Sequence, residues 1–224
     1  KVFKLTKIFV AGATGYIGKN VVKSALEQNF KVVIATRKVS ADFDLKDQNL
    51  KVVEISKNDN SWMENLQGID VFISCLASKS GEPKDARSVD FKLNKLLLEK
   101  AKRIKCSQFI LLSAICVQKP RLAFQFEKLA FEKELKKSGL NFSIIRPTAY
   151  FKSLSGQIEN IKKGKPYVYF GNGELTQCNP ISEKDLSLFI LSCVTDKNKW
   201  RKILPIGGPN QSLTPKNVGE MLFE

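Results

Sequence analysis

Three glycines stand three residues apart in the run Gly12-Ala13-Thr14-Gly15-Tyr16-Ile17-Gly18. This spacing suits a strand that turns sharply into a helix while its backbone approaches a phosphate. A Cβ at those points would obstruct the approach, and the open N–H groups and positive dipole end of the helix stabilise the anion. A triple-glycine pattern by itself is weak, but its surroundings sharpen it. The apolar run Lys7–Ala11 leads straight into it, and Val21, Val22, Ala25 and Leu26 follow at helical spacing. The ligand this constellation fits is the diphosphate of a dinucleotide, held around Gly12, Thr14, Gly15, Tyr16, Ile17 and Gly18. At the end of the next apolar run, Lys31–Thr36, stand Arg37 and Lys38. A carboxylate there would bond the ribose hydroxyls of NAD, whereas two cations suit the extra phosphate of NADP. The expected cofactor is therefore NADPH.

The elements that must position these groups follow from periodicity. Strands are expected at Lys7–Ala11, Lys31–Thr36, Leu50–Ile55, Asp70–Ala77, Gln108–Ser113 and Asn141–Arg146. Helices are expected after Gly15, around Trp62–Leu66, over Asp90–Ile104 and over Phe124–Ser138. Strands apolar on both faces, alternating with helices, predict an α/β fold of the Rossmann type: a doubly wound parallel sheet covered on both sides. The division expected is a dinucleotide-binding core over residues 1–150 and a smaller substrate-side region over 151–224, within one domain. Past Pro147 the rhythm loosens, Gly and Pro become frequent, and loops over the strand ends are expected.

Composition removes several kinds of chemistry. The 224 residues contain no histidine, so a His base, a Ser-His triad and a His-ligated zinc are excluded. The five cysteines include no C-x-x-C pair and read as reduced thiols, with no metal site expected. The longest apolar runs, around Phe109–Val117 and Leu186–Val194, fall short of a membrane span. The chain opens on Lys1, which suggests a trimmed N-terminus and a targeting segment outside it. The excess of 37 Lys+Arg over 22 Asp+Glu gives +15, which reads either as a lysine-rich solvated surface or as a draw for anionic partners, a membrane surface or membrane complex included. The lysines are dispersed and no nucleic-acid signature accompanies them, so no nucleic acid is expected.

From the glycine loop onward the chain resembles the atypical short-chain dehydrogenase/reductases, in the branch of NmrA-like regulators and isoflavone reductase-like enzymes. Later segments narrow the likeness: Ser113-Ala114-Ile115-Cys116-Val117-Gln118-Lys119-Pro120, Ile145-Arg146-Pro147-Thr148-Ala149-Tyr150-Phe151-Lys152, Pro180-Ile181-Ser182-Glu183-Lys184-Asp185-Leu186 and Leu204-Pro205-Ile206-Gly207-Gly208-Pro209. These closely resemble the NADPH-dependent divinyl chlorophyllide 8-vinyl-reductases of plastids and photosynthetic bacteria. The resemblance implies reduction of a vinyl group on a magnesium chlorin, a chlorophyllide-type substrate, and a plastid location at the stroma or thylakoid surface. It puts Ala77, Ser113 and Pro147 beside the nicotinamide, with Ser74 and Ala114 near them, although Ser74, Ala77, Ser113 and Ala114 read equally well as packing residues. Tyr150 and Phe151 could face the flat pigment or pack in the core, and Lys152 could pair with its propionate.

The pattern also departs from its relatives. Ordinary short-chain reductases carry Tyr-x-x-x-Lys, where this chain has Phe124-Gln125-Phe126-Glu127-Lys128. The lysine remains, and Lys128 is implied to bond the nicotinamide ribose or assist proton delivery, as the catalytic candidate. The other reading of Lys128 is an exposed helix lysine. The adenine-side aspartate is replaced by Ser56, with Asp59 as a partial substitute. The related enzymes continue well beyond the position of Glu224. A second class of function therefore stays open: a non-catalytic NADPH-holding subunit of a photosynthetic or respiratory membrane complex, or a redox sensor.

Overall fold

The computed structural model describes residues 5–37, 43–55, 59–209 and 211–223. The first half builds β1 (Lys7–Ala11), α1 (Tyr16–Glu27), β2 (Lys31–Thr36), β3 (Leu50–Glu54) and β4 (Val71–Ser74). After β4 the chain forms α2 (Pro83–Ala86), a π-helical segment Arg87–Leu93, and α3 (Asn94–Arg103) without a break. β5 (Gln108–Leu112), α4 (Ala123–Lys137) and β6 (Asn141–Pro147) follow. The last part holds α5 (Phe151–Leu154), α6 (Ile158–Lys162), α7 (Glu183–Thr195), β7 (Lys202–Ile206) and α8 (Pro215–Phe223).

The strands form one sheet in the order β3-β2-β1-β4-β5-β6-β7. Every pairing is parallel, so all the carboxyl ends lie along one edge. The Rossmann-type α/β expectation is therefore met. The order reverses at β1, whose neighbours are β2 and β4, and a crevice opens at that switch point outside the strand ends.

Both faces of the sheet are buried, which explains why the strands read as unbroken apolar runs. On one face Ile8, Val10, Ile34, Ile73 and Ile110 pack against Val21, Val22 and Ala25 of α1 and Leu186 and Ile190 of α7. On the other, strand register aligns Phe9, Phe72, Phe109 and Phe142 in one row across four strands. The Phe9–Phe72 and Phe72–Phe109 ring centroids are 5.2 and 6.1 Å apart. Leu97 and Leu98 of α3 and Phe131 and Leu135 of α4 close over that row.

Several expectations are corrected. The fourth strand ends at Ser74 rather than Ala77, because after Cys75 N bonds Ala11 O at 2.9 Å the chain peels away from β1. The helix expected from Asp90 begins at Pro83, a residue suited to the first helical position, where no N–H is needed. Trp62 and Met63 sit in a short 3-10 turn, Ser61–Asn65, that plugs the Phe9 side of the core. The part past Pro147, expected as loops and short elements, holds α7 and β7, which complete the sheet and its cover, so the core extends beyond residue 150. β7 carries little strand signature, because Lys202-Ile-Leu-Pro-Ile is short and contains Pro205. That proline is tolerated because β7 is the edge strand.

Candidate functional site

The glycine loop sits at the switch point, between the exits of β1 and β4. Gly12 has φ +74, and a Cβ there would meet Cys75 O at 2.8 Å. A Cβ on Gly18 would lie 2.1 Å from Gly12 O, so the helix can approach the loop only as glycine. Gly15 accepts the first helical hydrogen bond, Lys19 N to Gly15 O at 3.0 Å, and caps α1 with no side chain. α1 also carries no acidic residue in its first turn. α7 contrasts with it: Ser182 accepts from Asp185 N, and Glu183 and Asp185 complement the dipole. The N-terminal amides of α1 are thus left for an external anion, with Thr14 and Gly15 exposed above them. This cradle fits a diphosphate. The Ile17 side chain is buried in the core, so only its backbone is at the loop.

The exits of β4, β5 and β6 form the other side of the crevice. Lys128 is buried, not the exposed helix lysine of the alternative reading. Its Nζ donates to Leu76 O at 3.0 Å and Leu112 O at 3.3 Å, the carbonyls where β4 and β5 part. Asp90 Oδ1 lies 3.1 Å from the same ammonium in an ion-pair contact whose angle falls short of a hydrogen bond. Asp90 is fully buried in the π-helical segment, and its Oδ2 accepts from Ser78 N at 3.3 Å. Asn94 Nδ2 donates to Asp90 O at 3.0 Å, and Ser74 Oγ donates to Asn94 Oδ1 at 2.6 Å. The β4 exit is therefore fixed by a polar network whose origin is a π turn, a feature often found at functional sites.

Ser113 was expected to face the nicotinamide. Its hydroxyl instead donates inward to Glu132 Oε1 at 2.6 Å. Arg146 Nε donates to the same oxygen at 3.1 Å, and Arg146 Nη2 bonds Oε2. Glu132 and Arg146 are a buried pair that ties α4 to β6 beneath the site. Pro147 is buried at the end of β6, and Ala77 is exposed on the loop after β4. Arg37 is exposed immediately after β2, on the same edge of the sheet. Lys38 and Ser56 lie outside the described residues.

Above the loop, Tyr16 Oη donates to Glu183 Oε2 at 2.6 Å. Burial first, and the Glu183 carboxylate second, push the Tyr16 phenol up to about 12. The same hydrogen bond holds the Glu183 carboxyl below its usual range, helped by Lys152 and Lys19. Lys152 Nζ lies 4.7 Å over the Tyr16 ring, a cation–π contact, and the Tyr150 ring is 6.2 Å from that of Tyr16. Phe151 stays half exposed beside them. Among the described residues no group of acidic or thiol side chains could hold a metal, and no helix is long and apolar enough to cross a membrane.

Asp90, Glu132 and Glu183 were not singled out from the sequence. A signal for Asp90 existed: Ala86, Asp90, Asn94, Leu97 and Ala101 recur at helical spacing, which places a carboxylate and an amide on an apolar face.

Sheet order, switch-point crevice and open helix terminus together define a nicotinamide-dinucleotide-binding protein of the Rossmann class. A family model described as NAD(P)H-binding matches residues 12–197, and the chain belongs to that family. It is similar to the chloroplastic divinyl chlorophyllide a 8-vinyl-reductase of Arabidopsis thaliana, 46% identical over 97% of this chain and 57% of that protein. The Cucumis sativus protein of the same name is 45% identical, over 98% of this chain and 57% of its own length. The photosystem II assembly factor Ycf39 of Cyanophora paradoxa is 29% identical over 90% of this chain and 63% of that protein. The chain thus spans a little over half the length of the vinyl-reductases it matches. Among solved structures, the UDP-glucose 4-epimerase of Thermotoga maritima has a TM-score of 0.82 at 19% identity, covering 97% of this chain and 81% of its own. The UDP-glucuronic acid 4-epimerase of Bacillus cereus in complex with NAD gives 0.82 at 20%, covering 97% and 82%. Those two likenesses concern the fold.

Proposed function

We propose that this chain uses NADPH to reduce the 8-vinyl group of a divinyl chlorophyllide in the chloroplast. The observation that carries the reading is the 40–46% identity to four chloroplastic 8-vinyl-reductases over at least 97% of this chain. The site is consistent with that chemistry. Bound NADPH supplies a hydride to the vinyl group. Gly12, Thr14, Gly15, Tyr16, Ile17 and Gly18 hold its diphosphate through backbone amides. Arg37, helped by Lys38, takes the 2′-phosphate that NADH lacks. Lys128 fixes the β4 and β5 exits and reaches the nicotinamide ribose, while Ala77, the Ser113 backbone and Pro147 bound the ring. Phe124 in place of a tyrosine suits a reaction with no carbonyl oxygen to protonate. Lys152 pairs with the pigment's propionate, and Phe151 offers it an apolar face.

A second reading draws on the likeness to a photosystem II assembly factor: the chain holds NADPH without turning it over, as part of a membrane complex. An absorbance assay separates the two. With NADPH and divinyl chlorophyllide a, the Soret band is expected to shift to that of the monovinyl pigment while NADPH is consumed. An unchanged pigment spectrum in protein that still binds NADPH supports the second reading and overturns the first.

A further inference from the structure

Alkene reduction needs a proton as well as a hydride, and Phe124 leaves the usual donor position without a hydroxyl. The other proton-bearing groups around the crevice are largely committed. Lys128 Nζ serves Leu76 O, Leu112 O and Asp90. Ser113 donates to Glu132, Tyr16 to Glu183, and Thr148 Oγ1 to Asn179 O. Burial pushes the Cys75 thiol up to about 12.

Tyr150 differs from all of these. It lies three residues past the end of β6 and caps α5. Its backbone is pinned by a parallel bridge to Ile181 and by Ile181 N donating to Ala149 O at 3.0 Å. The phenol packs on the apolar core with Tyr16 and Cys75, between the glycine loop and the β4 exit. Burial above all, with Cys75 and Cys116 nearby, pushes its pKa up. Among the described residues its hydroxyl has no hydrogen-bond partner. A half-buried phenol with an unspent donor, at the switch point, is placed as a group waiting for a ligand.

Resting on the vinyl-reduction reading, we infer that Tyr150 is the proton donor of this reaction, replacing the tyrosine that Phe124 removed. The terminal vinyl carbon receives the hydride of NADPH, and the π electron pair passes into the conjugated macrocycle. The Tyr150 O–H bond then breaks, its proton bonds to the internal vinyl carbon, and an ethyl group results. The phenolate regains a proton from water, and the dinucleotide leaves as NADP⁺. General-acid assistance of this kind contributes about 10²–10⁴-fold.

The test uses the whole protein with NADPH and divinyl chlorophyllide a. Tyr150→Phe should bind NADPH as the unaltered protein does and lose at least about 100-fold in turnover. In Tyr150→Gly, added phenols should restore turnover, the more acidic ones further, a dependence that a packing role would not produce. Turnover of Tyr150→Phe within threefold of the unaltered protein, or rescue indifferent to phenol acidity, overturns this assignment alone. An unaltered protein that binds NADPH and leaves the pigment untouched overturns the vinyl-reduction reading and the assignment with it.

Discussion

Gly18→Ala is expected to weaken NADPH binding by about 100-fold, which corresponds to about 2.7 kcal/mol. The added Cβ would lie 2.1 Å from Gly12 O and 2.8 Å from Gly12 C, both backbone atoms. No side-chain rotation relieves such a contact, so the loop and the first turn of α1 must separate. Overpacking of this kind costs about 1–3 kcal/mol in the fold, and here it falls on the amides meant for the diphosphate. Gly15→Ala provides the comparison, because its Cβ would meet only Gly12 O, at 3.1 Å. Calorimetric titration of both variants checks the expectation. Full NADPH affinity in Gly18→Ala would show that this loop does not grip the cofactor.

Glu132→Gln should destabilise the protein by roughly 3 kcal/mol, toward the low end of what breaking a buried pair costs. Arg146 would keep its charge in a nearly dry site with no carboxylate opposite. For a domain of this size that implies a fall of about 6–12 °C in Tm. Glu132→Leu combined with Arg146→Met should recover most of the loss, since neither charge then remains buried alone. Thermal denaturation of the single and double variants measures it. A double variant no more stable than the single would mean that the pair contributes by packing rather than by charge. The Ser113 hydroxyl, which donates to Glu132 Oε1, keeps an amide oxygen to donate to in Glu132→Gln and loses its partner only in the double variant.

Much of this arrangement is legible in the sequence, for physical reasons that differ along the chain. β1 and β2 fall where periodicity predicts, because their unbroken apolar interiors, buried on both faces, are bounded by Lys7, Lys31 and Thr36. The glycine loop is equally plain, since backbone closeness admits no other residue at Gly12 and Gly18. β7 is not, because an edge strand with Pro205 mimics a loop. Lys128 stands out in the sequence, but its ion pair with buried Asp90 does not, because the π turn that carries Asp90 has no simple sequence mark. Ser113 leaves both readings, cofactor contact and packing, open in the sequence. Its position at the β5 exit pointed to the cofactor, whereas a carboxylate nineteen residues later claims the hydroxyl. Side-chain direction at a strand end depends on partners from other elements, and local spacing does not encode them.

Parallel calorimetric titrations with NADPH and NADH test most directly whether the strand-end crevice clasps a dinucleotide bearing a 2′-phosphate. The unaltered protein should bind one NADPH per chain, far more tightly than NADH, and Arg37→Ala should remove most of that preference while leaving NADH affinity nearly unchanged. No heat with either nucleotide at millimolar concentration, or equal losses for both in Arg37→Ala, would contradict such binding.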